Sequence, residues 1–175
     1  LAGGFLHSLP SLLAAGAGVL GLTACIFLVS AAQALRGVPT TSPTIRGLKL
    51  AMVGLGGVVG LGLMLALALV FGWNIPLLQL VDLHAGWGFA GWGGVLMAAV
   101  AFVIVPMFQL TPGYPARPSW WFPRLILGVL LLWTSAVLAR WPTVAAVCQA
   151  AAALVGTAFA LLTMRLQSLR RRARP

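Results

Sequence analysis

An all-α, polytopic membrane bundle is the fold this sequence predicts, and three observations predict it. Of its 175 residues, 61% are hydrophobic and only 7% charged, whereas a soluble domain carries about a quarter charged residues. Five apolar stretches each reach the roughly 20 residues that a helix needs to cross the hydrocarbon of a bilayer. The alternating pattern of a membrane β-barrel is absent, and helices satisfy their own backbone groups where no water can. The whole chain, 1–175, reads as a single transmembrane domain with spans over 10–35, 46–72, 83–108, 122–140 and 142–164. Because it starts at Leu1 rather than Met, it is expected to be a processed chain or a fragment of a longer one.

The net charge of +10 could suggest nucleic acid, but its distribution argues for a membrane instead. Arg36, Arg46 and Lys49 flank the first connection, and Arg117 and Arg124 flank the third. Arg165, Arg170, Arg171, Arg172 and Arg174 close the chain. With five spans these ten cations fall on one side and Arg140 alone falls on the other. That asymmetry is the positive-inside bias. It predicts an N-terminus outside and a C-terminus in the cytoplasm, in a bacterial-type inner membrane, with the basic tail held at anionic headgroups. No nucleic-acid partner is expected.

Taken in order, the first span, 10–35, is too long for a signal peptide and lacks its basic leader. The connection 36–49 is polar and carries Pro39 and Pro43, as a cytoplasmic loop would. In the second span, Gly54, Gly56, Gly57, Gly60 and Gly62 would let neighbouring backbones approach closely in lipid, which places that helix inside the bundle. The stretch from Gly72 to Val81 is apolar yet broken by Pro76, and is expected to be re-entrant or interfacial. The segment 111–124 has four prolines and the aromatics Tyr114, Trp120 and Trp121. It is expected to lie on the inner surface at headgroup depth. Trp141 and Pro142 form a tight turn into the last span. Cys25 and Cys148 show no metal or redox spacing and read as inert buried thiols. The methionines read as packing.

Chemistry concentrates in DLHAGWGFAGWGG, residues 82–94. Asp82, His84 and His7 are the only acidic and histidine residues in the chain, and the predicted topology puts all three at the outer edge of the membrane. Asp82 is suited to cap the third span, complementing the helix dipole, or to act as a partner supporting the His84 imidazole. Gly88 and Gly91 follow His84 by four and seven residues, which on a regular helix is one face. A histidine would then head a bare glycine strip, suited to a flat macrocycle or to the close approach of another helix. Imidazole is a common axial ligand of b-type heme. His7, just before the first span, is the one other imidazole that could share such a ligand.

The segment from His84 through Gly86, Gly88, Gly91, Trp92 and Gly94, closing at Pro106 and Phe108, resembles a helix of the catalytic subunit of heme-copper oxidases, in particular the cbb type. The resemblance covers about 25 residues. It implies that His84 matches the histidine that binds the high-spin heme iron. The low-spin ligand of that family is replaced by Gly86, and its copper-binding histidines have no counterpart, so no copper centre is supported. The resemblance implies a single-heme relative of an oxidase subunit: a heme b protein or electron-transfer component beside a respiratory-type complex, with other membrane subunits and a quinol or cytochrome as partners. A cofactor-free structural or assembly subunit is the alternative. A permease ranks below both, since such proteins usually carry midplane polarity and these spans have almost none. No hydrolytic pair of base and nucleophile is visible.

Overall fold

Pro10, Pro43 and Pro142 each open a long helix, because the first turn has no intrahelical partner for the N–H that proline lacks. The computed structural model describes residues 2–6 and 9–170. A short helix α1 (Ala2–Leu6) leads into α2 (Pro10–Leu35) and α3 (Pro43–Phe71). The third spanning segment is composite: α4 (Leu77–Gly86), a π-helical stretch (Trp87–Gly94) and α5 (Val95–Gln109). Helices α6 (Ala116–Leu138) and α7 (Pro142–Ser168) complete the chain. Five helical segments are long and apolar enough to cross a membrane, and no strand occurs among the described residues.

Helix α3, the third segment and α6 form the centre. Helix α2 packs on the outside of α3, and α7 on α6. The interior is built on Leu83, Val95 and Leu130, all fully buried, together with Trp87, Ile126 and Trp133. The outer faces are as apolar as the core: Leu78, Phe89 and Met97 are 82%, 84% and 74% exposed. Lipid, not water, is the solvent that tolerates such a surface, and the chain is a multi-pass membrane bundle.

Three of the five α3 glycines expected to pack closely, Gly54, Gly57 and Gly62, do so, and with Gly47 they fix the register. A side chain at Gly47 would strike Ala99, one at Gly54 the carbonyl of Gly91, one at Gly57 the ring of Trp87, and one at Gly62 the imidazole of His84. Each step along α3 thus meets an earlier residue of the third segment, and the two pack antiparallel. Gly56 and Gly60 meet nothing and are not part of the contact.

Three expectations are corrected. Only Gly72–Pro76 is non-helical between the second and third spans. Gly72 closes α3 in the left-handed region (φ 63°) and the helix resumes at Leu77. No re-entrant stretch is needed, because Pro76 sets the chain for a new helix and Leu77–Val81 continues it. Asp82 is consequently inside α4, and the capping position is Pro76. Finally, α6 starts at Ala116, earlier than residue 122. Pro118 falls in its first turn, where proline is tolerated, and Ser119 donates its hydroxyl hydrogen to the Ala116 carbonyl at 3.0 Å.

The expected surface cluster of aromatics also divides. Trp120 and Trp121 meet edge to face on the first turns of α6, and Arg124 lies 3.9 Å over the Trp120 ring. Tyr114 instead stacks on Phe159 of α7, meets Phe102 edge-on, and shares a 3.0 Å hydrogen bond with Thr163. That pairing ties the α5–α6 connection to the last helix.

Candidate functional site around His84

His84 lies on α4, about two turns inside the start of the third segment, and is half-buried. Its Nδ1 is 3.1 Å from the carbonyl oxygen of Val58 on α3. A carbonyl can only accept, so Nδ1 carries the proton and donates it. In the neutral ring Nε2 then keeps its lone pair. The approach depends on Gly62, one turn along α3 from Val58. A Cβ at that position would lie 3.0 Å from His84 Cε1 and push the ring away.

The imidazole borders a cavity of about 450 Å³ between α2 and α3. Gly21, Ala24, Val58, Gly62 and Ala66 contribute to its wall, and His84 is its one titratable side chain. The volume falls within the roughly 300–1,000 Å³ typical of small-molecule sites, which are apolar with a few placed polar groups. The small residues of α2 and α3 leave this space; the single polar group comes from α4.

The predicted glycine strip does not line this cavity. From Trp87 to Gly94 the hydrogen bonds run i→i−5, as in the bond from Val95 N–H to the Ala90 carbonyl. Wider turns take Gly88 off the face that residues 84, 88 and 91 would share on a regular helix, while His84 and Gly91 both still meet α3. The glycines are the reason this geometry is accessible: a Cβ at Gly93 would lie 3.3 Å from the Gly88 carbonyl oxygen, and one at Gly94 3.1 Å from that of Phe89. Gly91 is buried against Gly54, Trp87 and Leu130, whereas a side chain at Gly88 would meet nothing. Gly91 is therefore a packing contact and Gly88 an open position off the α3-facing side.

The other candidates also separate. Asp82 is exposed, two residues before His84 on α4, and is not part of the cavity wall. His7 lies outside the described residues, as do Arg171, Arg172 and Arg174. Both cysteines are free thiols, but only Cys148 is buried as expected; Cys25, on α2, is exposed. Among the described residues, no three His, Cys, Asp or Glu side chains come together in a way that could hold a metal ion by themselves.

Two neighbouring tryptophans secure the site rather than line it. Trp87 is buried over Gly57 and donates its Nε1–H to Thr134 Oγ1 on α6 at 2.9 Å. Thr134 passes its own hydrogen to the Leu130 carbonyl at 2.8 Å. Trp133 fills the space that Gly86 leaves open. Sequence reasoning missed the partnership of Val58 and Gly62 with His84. The α3 glycine run carried the signal, but the register that pairs Gly62 with His84 is visible only once the helices are packed.

No family model matches the chain, and neither a characterised protein nor a solved structure is similar to it.

Proposed function

We propose that the chain is a heme-associated integral membrane subunit, of the kind that serves electron transfer beside a respiratory-type complex, with His84 as the axial ligand of a b-type heme. One observation carries this reading: His84 Nδ1 donates to the Val58 carbonyl, which leaves Nε2 unprotonated on a ring that borders an apolar cavity. Metal-binding imidazoles are oriented in this way, by a hydrogen bond from the other ring nitrogen.

The residues present fit such a group. His84 supplies the nitrogen, and the aliphatic wall from α2 and α3 suits a hydrophobic macrocycle. The described wall holds no second side chain able to ligate iron. When bound, the heme would supply one-electron transfer. Val58 holds the ring in one tautomer, and Gly62 provides the room for it. The positive-inside asymmetry supports a cytoplasmic C-terminus, and we place the chain in a bacterial-type inner membrane, where other membrane subunits and a quinol or cytochrome would be the electron partners.

The test is a reduced-minus-oxidised visible spectrum of the full chain, expressed with ample heme and purified in mild detergent. A Soret band is expected, lost in His84→Ala and in Gly62→Leu. A wild-type protein without Soret absorbance, or a band undiminished in His84→Ala, would overturn the assignment. The second reading, a cofactor-free structural or assembly subunit, is favoured by the burial of Gly91 against Gly54. It expects His84→Ala to be nearly silent in folding and assembly while changes at Gly91 disrupt both.

A further inference from the structure

At the end of the bundle where the α3–α4 and α6–α7 connections meet, a cleft of about 710 Å³ opens between them. Its polar groups are Asn74, Gln79 and Arg140, with the Trp141 ring beside them, and Leu80 and Val137 contribute an apolar wall. Among the described residues Arg140 is the one cation that the helix order places at this end; Arg36, Arg46, Lys49, Arg117, Arg124, Arg165 and Arg170 belong to the opposite end. The single carboxylate of the chain, Asp82, is not among the lining residues, so nothing in the wall neutralises the guanidinium.

The backbone presents this charge by an unusual conformation. Arg140 sits in the left-handed region (φ 57°), where glycine is the usual residue. The turn is held by bonds from Arg140 N–H to the Val137 carbonyl and from Trp141 N–H to the Ala136 carbonyl. The cleft is bounded by the start of the third segment and the start of α7, so it lies at the ends of spanning helices, at headgroup depth. Its chemistry combines a planar donor fork, two side-chain amides, an amphipathic ring and an aliphatic wall. A guanidinium pairs with a phosphate through parallel N–H donors, tryptophan settles at the headgroup level, and the aliphatic side accommodates a chain that continues into the bilayer.

We propose that this cleft binds the phosphodiester headgroup of an anionic phospholipid, with Arg140 on the phosphate and an acyl chain along Leu80 and Val137. The site is independent of the heme reading at His84. The test uses the full chain in detergent, with phosphatidylglycerol or phosphatidylcholine added, and native mass spectrometry as the readout. The wild type should retain one phosphatidylglycerol with a preference of about fivefold over phosphatidylcholine, the gain expected for one basic residue near an anionic surface. Arg140→Gly removes the charge at a backbone position that glycine favours, so the fold should persist while the preference disappears. Arg140→Lys should keep part of it, and Arg117→Gln, at the opposite end, should leave it unchanged. Retention of the preference in Arg140→Gly, or its equal loss in Arg117→Gln, would overturn the proposal. Displacement of the lipid by millimolar inorganic phosphate would also overturn it, in favour of a site for the free anion.

Discussion

At the residue scale, two glycines of the same motif have opposite surroundings, and this makes their roles separable by experiment. Gly91→Leu drives a side chain into Leu130, Trp87 and the Gly54 backbone, and overpacking of this kind costs about 1–3 kcal/mol. Gly88→Leu enters open space and should change stability by no more than ~0.5 kcal/mol. Thermal unfolding of the detergent-solubilised full chain checks both; equal losses would show that the third segment is not seated on α3 as described. The sequence made His84 legible as the centre of interest, because it is one of only three His or acidic residues in the chain. Its partner was not legible, since Val58 contributes only a carbonyl oxygen, which every residue has. Asp82 was misplaced as a cap because the apolar run before it, Leu77 to Val81, resembles a loop only if Pro76 is taken to end structure rather than to begin it.

At the element scale, the third segment decides how the bundle is assembled. A regular α-helix from 77 to 109 would keep His84, Gly88 and Gly91 on one side. With the π-helical stretch, Trp87 and Gly91 face α3 as His84 does, and Gly88 is left outside. Helix length and polarity were legible, because they depend on composition. The change of helical type was not, because glycine permits a wider turn without requiring it. The stretch is tied to α6 through the bond from Trp87 to Thr134, and this tie can be measured. Trp87→Phe and Thr134→Val should each destabilise the chain, the latter by about 1–3 kcal/mol if it leaves the buried indole N–H without a partner. In a double-mutant cycle the two should couple by about 0.6 kcal/mol, the average for hydrogen bonds between membrane helices, and by no more than about 1.7 kcal/mol. Strict additivity would mean that the bond contributes nothing and that α6 is held by packing alone.

At the scale of the whole molecule, the five spans alternate direction, so their connections sort into two ends with very different charge. One end carries Arg36, Arg46, Lys49, Arg117, Arg124 and Arg165, and the other carries Arg140. The helices themselves are nearly blind to orientation, being apolar throughout, so the sidedness of the bundle rests on these cations. With the basic end in the cytoplasm, the Gly72–Pro76 connection faces outward together with the lipid cleft at Arg140, while the C-terminal end of α7 faces inward. Single cysteines at Asn74 and Ser168, both exposed, report this directly in a background of Cys25→Ser and Cys148→Ala. A membrane-impermeant maleimide added to intact cells should label Asn74→Cys and leave Ser168→Cys unlabelled until the membrane is permeabilised. Labelling of Ser168→Cys from outside would invert the molecule. It would place His84 towards the cytoplasmic face and the Arg140 cleft in the inner leaflet, and it would show that something other than the cation count orients the chain.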